Sequence, residues 1–377
     1  MDIETQPLPT STDVVVLGAG IAGAATARYL AEGGVEVVVV DPDPGAVDPL
    51  GHVELGAVEQ PHRTVAALGA QAEPLFAFAR RGADLLEADG LLDRCGSLWV
   101  AMEEGEGQEI PRSVEALRAR GEPAEARDAG EVERHLAGGR MGPALWLPRD
   151  GRVDPVAARR AWMEAEPSVR WVRGEGAPVR DPEVDGIVVS VGDRRIVAEV
   201  LVIAAGHRSA ELDPALEERL MPVRDQWLRT APVDRSLPLG RAGHGWTAWQ
   251  QDDAGRLLVS GCRWASPHLE VGETDVTADG PAVRRVRERI EAFLRDRLQV
   301  DARIEAVGAR VFANSPDGLP IVGPIPGDRR TIVAAGFGPS HVAWSVAAAH
   351  AIADGILEGG GAVPRCVASQ RLVRWRR

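Results

Sequence analysis

Three glycines and one aspartate carry the clearest chemistry in this 377-residue chain. Gly18, Gly20 and Gly23 form G-x-G-x-x-G, and Asp41 follows 23 residues after the first of them. Glycines at that spacing let the backbone close on a diphosphate. A helix opening there turns its free N–H groups and its dipole toward negative charge. A carboxylate at the end of the next strand can accept hydrogen bonds from a ribose diol. The set therefore points to a dinucleotide site. The alternative is a tight strand–helix turn that holds nothing, and the flanking pattern weighs against it.

That pattern is a complete βαβ start. Asp13 to Leu17 reads as a buried strand, Ile21 to Glu32 as a helix with small residues on its sheet-facing side, and Val35 to Val40 as a second buried strand ending in Asp41. Gly33-Gly34 stops the helix. A loop rich in proline and glycine covers residues 42–60, and a long helical stretch is expected over Arg63 to Asp89. A strand at Ser97 to Met102 and a charged helical piece around 111–136 follow. Asp154 then stands as the N-cap of a helix with Pro155 at its first position. Strands recur at 169–173, 186–191 and 196–204, and the text turns strand-rich from Pro222. A charged helix is expected at 279–298, a strand at Arg303 to Phe312, a strand and glycine turn in TIVAAGFG, and a helix from His341 to Leu357.

Composition excludes several classes. The 43 basic residues are all arginine, so a Schiff-base or P-loop lysine is ruled out. Cys95, Cys262 and Cys366 match no zinc spacing and make no disulfide framework, and no metal site is expected. A formal charge of −13 weighs against a nucleic-acid partner or an anionic membrane surface. No apolar run is long enough to span a bilayer, and MDIETQPLPTSTD lacks the basic start and apolar core of a signal peptide. A cytoplasmic location is the expectation.

Nearly the whole chain resembles the D-amino-acid oxidase/glycine oxidase family of FAD-dependent enzymes, with features of the sarcosine-oxidase-like members. The segments VVVLGAGIAGAATARYLAEGGVEVVVVD, GRVDPVAARRAW, VLVIAAG, MPVRDQWLRT, NSPDGLPIVG and VAAGFG carry the resemblance, in the family's order. It implies an α/β fold. A Rossmann-like FAD domain of the GR2 type (residues 12–90, 150–220 and 313–377) would be interleaved with an antiparallel-sheet substrate domain (91–149 and 221–312). It also implies that Gly18, Ala19, Gly20, Ile21, Ala22 and Gly23 hold the pyrophosphate, with Asp41 and Pro42 at the ribose. Val179 would lie at the adenine, Ala204, Ala205 and Gly206 near the pyrophosphate, and Gly336, Phe337 and Gly338 near the flavin.

The departures bear on catalysis. Sarcosine-oxidase-like members place a flavin-linked cysteine seven residues before the aspartate of the PDG turn, which is Asp317 here. That position is Arg310, so the FAD is expected to be noncovalent. Glycine-oxidase-like members place a carboxylate-binding arginine five residues before it, where this chain has Phe312. Arg310, on the same strand face, is the candidate for that role or for a place beside the flavin edge, and an ordinary salt-bridged arginine is the alternative. His341 at the start of the last helix, and His52 and Glu54 in GHVELG, complete the catalytic candidates: Glu54 for a substrate amine, His52 as a base. Each could equally be structural. Related oxidases use a lysine near the flavin to help dioxygen react, and the matching stretch RLLVSG has none, so O2 and another electron acceptor both stay open. The expected activity is oxidation of the C–N bond of an amino acid or related amine by hydride transfer to flavin N5, giving an imine that hydrolyses. The alternatives are C–O oxidation of a hydroxy acid, and a flavin-binding protein without turnover.

Overall fold

The computed structural model describes residues 8–43, 48–55, 59–136, 138–277, 279–339 and 342–376. Two eight-stranded sheets organise them. The first has the path Ile321–Ile325, Asp328–Ala335, Arg194–Ile203, Ser11–Leu17, Val37–Asp41, Arg170–Arg173, with the strands Ile187–Val191 and Gly176–Val179 branching from Arg194–Ile203. Its central pairings, from Asp328–Ala335 through to Arg170–Arg173, are parallel. Both faces are covered, so Val14, Val15, Val16 and Leu17 are all buried, as a continuous apolar run requires. Val14 and Val16 pack toward the first helix, Ile21–Glu32, and the last, Val342–Glu358. Val15 and Leu17 pack toward Val189, Ile196 and Leu216. This is a Rossmann-like sheet whose first strand lies in the middle, so the chain leaves it toward both sides. That reversal opens a crevice at the carboxyl ends of the strands.

The second sheet runs Ile304–Asn314, Met221–Pro232, Arg256–Gly261, Thr247–Gln251, Leu239–Ala242, Ser97–Val100, Ala144–Leu147, Glu125–Arg127. One face buries Leu228, Trp249, Leu257 and Val259 under Val286, Ile290 and Phe293 of the helix Pro281–Ala292 and the π-helical turn Phe293–Arg297. The opposite face carries Asp225, Arg310 and Arg241 toward the first unit. The sheet is antiparallel except where Leu239–Ala242 pairs parallel with Ser97–Val100. Two segments far apart in sequence meet there, so no hairpin dictates direction.

Local departures from the sequence reading have local causes. The long helix expected from Arg63 to Asp89 breaks into Pro61–Leu68 and Ala72–Ala88, because Gly69 takes a φ of 53°. The second strand begins at Val37, since Gly34 at φ 84° and the bond from Val35 N to Leu30 O still close the preceding helix. The charged piece around 111–136 is two helices, Glu104–Arg118 and Ala129–His135, separated by the strand Glu125–Arg127.

Candidate active site

Three parallel strands of the first sheet end side by side, at Leu17, Ile203 and Ala335, and each runs into a turn of small residues. Gly18 sits at φ 110°, and a Cβ there would lie 2.3 Å from the Ala204 carbonyl oxygen, so only glycine lets the first two turns touch. A Cβ on Gly23 would lie 1.9 Å from the Gly18 carbonyl oxygen; this glycine seats the helix on the turn. At Gly20 the space where a Cβ would stand is open. A crevice of about 420 Å³ runs over these turns, lined by Gly18, Gly20, Ile21, Ala22, Asp41, Pro42, Ala204, Ala205, Gly206, Phe337 and Gly338 among others.

The donor set of this crevice fits FAD. Gly20 caps the first helix without a side chain, and the helix has no acidic residue in its first turn, so its free N–H groups face the crevice uncompensated. Asp41 accepts from Ala19 N (2.8 Å) and Asp43 N (2.8 Å), one bond per carboxylate oxygen, which leaves lone pairs on both for a diol. Arg208 adds a positive charge at the rim, and the last helix brings Val342 and Ser345 to the wall.

At Asp48 and Pro339 the crevice meets the second sheet. Arg310 is buried there, 7% exposed. Its Nε and Nη2 donate to Asp225 Oδ2 (3.1 and 2.8 Å), and its Nη1 donates to Asp48 Oδ2 (2.5 Å) and the Pro339 carbonyl (2.7 Å). Arg263 Nη1 donates to the other Asp225 oxygen (2.6 Å). Both guanidiniums lie over the Phe312 ring, at 5.1 and 5.6 Å from its centroid. Burial works to raise the Asp225 carboxyl, but the two arginines outweigh it and hold it below the usual carboxylate range.

A second buried group surrounds the short strand His52–Val53. Glu54 Oε1 accepts from Arg241 Nε (2.5 Å) and lies 3.1 Å from His52 Nδ1. Burial works to raise Glu54, yet Arg241 and His52 bring it down to about 2. Burial keeps the His52 ring below its ordinary pKa. Its Nε2 has no hydrogen-bond partner. Asp150 accepts from Leu55 N (3.1 Å) and Ser97 Oγ (2.5 Å), and burial together with the Glu54 charge pushes it well above its ordinary value.

Of the residues singled out from sequence, Ala19, Gly23 and Gly336 shape the turns without lining the crevice. Val179 ends the strand Gly176–Val179, paired to Val188, and Gly176 at the start of that strand lines the crevice. Arg310 and the His52–Glu54 pair share no hydrogen bond, but the Arg310 charge acts on the His52 ring and helps to lower its pKa. His341 lies outside the described residues. Sequence reading named Arg263 only as an alternative to Arg310 for a carboxylate and passed over Asp48 and Asp225, although MPVRDQWLRT contains Asp225. An aspartate opposite Arg310 became visible only with the register that pairs those two residues across strands.

A family model described as FAD dependent oxidoreductase matches residues 13–355. Among curated relatives, the bifunctional tRNA 5-methylaminomethyl-2-thiouridine biosynthesis protein MnmC of Pseudomonas entomophila is 28% identical over 330 residues, 84% of this chain and 48% of that one. The Marinobacter nauticus protein of the same name is 29% identical over 259 residues, 62% of this chain and 39% of that one. The chain thus spans about half the length of the curated relatives it matches or less. Solved structures with the same fold include L-proline dehydrogenase from P. horikoshii (TM-score 0.75, 20% identity, 98% of this chain and 99% of that one). Another is glycine oxidase from Geobacillus kaustophilus (TM-score 0.74, 21% identity, 94% and 96%). The glycine turns, the aspartate at the end of the second strand and the interleaved second sheet are therefore those of a recognised lineage: the chain belongs to the family of FAD-dependent oxidoreductases, and FAD is its cofactor.

Proposed function

We propose that the chain oxidises the C–N bond of an amino acid or related amine. The carbon gives up a hydride and the nitrogen a proton; water then adds to the resulting imine and releases a carbonyl compound and an amine. Bound FAD supplies the acceptor for the hydride. The single observation that carries this reading is the junction of the cofactor crevice with a polar wall made of the exposed Asp48 and the buried Arg310 and Asp225. The amine-acting names of the relatives and of the fold's neighbours support it.

In this reading the segments 12–90, 150–220 and 313–377 hold FAD, and 91–149 and 221–312 form the substrate wall. Gly18 and Gly20 admit the diphosphate, the first helix donates its N–H groups to it, and Asp41 accepts from the ribose. The turn Gly336 to Gly338 holds the flavin end. On the substrate side, Asp48 presents a carboxylate to an amine at the crevice, and Arg310 fixes its position. His52 stays neutral because burial opposes its charging, and Glu54 holds its ring beside the substrate wall. Binding the amine in its neutral form leaves orientation as the main demand on the protein.

A small molecule is the proposed substrate. The formal charge of −13 disfavours a polyanion, even though the MnmC relatives are named for tRNA. An anaerobic panel of amines, amino acids and hydroxy acids tests the reading by loss of the flavin's visible absorbance, followed by admission of air. Amines should bleach the flavin and matched hydroxy acids should not. Bleaching by hydroxy acids alone would replace the reading with C–O oxidation, and no bleaching by any compound would leave a protein that only binds flavin. The rate of recolouring in air reports whether O2 is the acceptor.

A further inference from the structure

We propose that Asp225 acts as the chain's own stand-in for a substrate carboxylate, so that the site selects amines carrying no carboxylate beside the reacting carbon. This deepens the amine-oxidation reading and rests on it. A guanidinium recognises a carboxylate through two parallel N–H donors on one edge. In Arg310 the Nε/Nη2 edge is spent on Asp225, and Nη1 is spent on Asp48 and the Pro339 carbonyl. Arg263, the next guanidinium on this wall, reaches the second oxygen of the same Asp225. Arg224 faces away and is closed by Glu270 (2.8 and 3.3 Å) and the Asp275 carbonyl (2.7 Å). Arg241 is held by Glu54, and its unpartnered Nη2 is shut off from solvent.

Two arginines and two aspartates make the cluster at the crevice formally neutral. An incoming carboxylate would have to displace Asp225 or Asp48 to reach the donors of the buried Arg310, and at Arg263 it would meet a guanidinium whose charge Asp225 already balances. An amine meets no such conflict, because the Asp48 carboxylate lies on the crevice itself. Asp225 is a specificity-determining residue in this account. It acts by occupying the arginines.

The test compares acetate with acetamide, a pair of similar shape and different charge, on the FAD-loaded protein. Calorimetric titration of the wild type should show no preference for acetate. Asp225→Asn takes the opposing charge from both arginines, leaving a neutral amide that an anion can displace, and should bind acetate about tenfold more tightly than acetamide, a difference of about 1.4 kcal/mol. The same variant should melt about 2 °C higher when acetate replaces chloride at constant ionic strength, while the wild type stays put. A tenfold acetate preference in the wild type, or an Asp225→Asn protein indifferent to acetate in both assays, would overturn the proposal. Should Asp225→Asn yield no folded protein, the wild-type titration decides alone: equal affinities support the proposal and an acetate preference sinks it. Failure of the function reading is seen separately, as a flavin that no amine bleaches, because neither acetate assay depends on turnover.

Discussion

Single residues divide the glycine turn into structural and ligand-facing positions. Gly23 faces the Gly18 carbonyl and Gly18 faces Ala204, so side chains there push on backbone. Gly20 faces open crevice at φ −68°, which any residue can adopt. Gly20→Val should therefore fold, at a cost of about 1 kcal/mol for a poorer N-cap, by urea denaturation of the apoprotein. Its FAD content after purification should drop by about tenfold or more, corresponding to at least about 1.4 kcal/mol of lost affinity. Gly23→Ala should instead lose about 1–3 kcal/mol of stability through overpacking. His52 gives a pH prediction. Its folded pKa lies below its unfolded one, so below about pH 6.5 the unfolded chain takes up a proton that the native protein refuses. Its contribution is full above that pH and is lost as pH falls toward the depressed folded value. The wild-type melting temperature should fall more between pH 7 and pH 5 than that of His52→Asn; equal slopes would show that the ring titrates normally. Glu54 loses its contribution only as pH falls from about 4.5 toward its pKa of about 2, below that interval.

Elements matter through how closely they approach. The last helix brings Val342 and Ser345 to the crevice, and its start is set by Gly82 in the helix Ala72–Ala88. A Cβ on Gly82 would come within 1.8 Å of the Ala343 carbonyl oxygen. Gly82→Ala must separate the two helices at that point. The expected result is a loss of about 1–3 kcal/mol in urea denaturation, accompanied by faster FAD dissociation measured by flavin fluorescence. Destabilisation with unchanged FAD dissociation would mean that the helix start does not position the cofactor. The helix Pro155–Ala165 shows the opposite device. Asp154 accepts from Val156 N (2.9 Å) and Ala157 N (3.1 Å), and Pro155 at the first position also lines the crevice. Its start is thus fixed by its own sequence.

At the scale of the molecule, two features combine: a cofactor crevice on one sheet, and a wall of balanced charge on the face of the other. Among the described residues no helix is long and apolar enough to cross a membrane. The net charge of −13 bears on the RNA named for the MnmC relatives. A tRNA complex would need phosphates to be neutralised by arginines, and the buried arginines of the wall are already committed to carboxylates. Electrophoretic mobility of bulk tRNA with the FAD-loaded protein should show no complex at low salt. A shifted band that fades steeply as salt rises would point to a phosphate-binding surface and reverse the small-molecule reading.

The glycine spacing, the aspartate after the second strand and the apolar run between them determined the βαβ unit and its ligand class, because each depends on neighbours within one short stretch. Asp154 and Pro155 likewise announced their helix. Tertiary structure alone decided the substrate side. Arg310 was visible in sequence, but whether its donors were free depended on Asp225 and Asp48, which lie 85 and 262 residues away along the chain. Strand register and the meeting of two sheets put them there. The charge state of a buried group follows from every partner around it, and a linear sequence records those partners without saying which of them will touch.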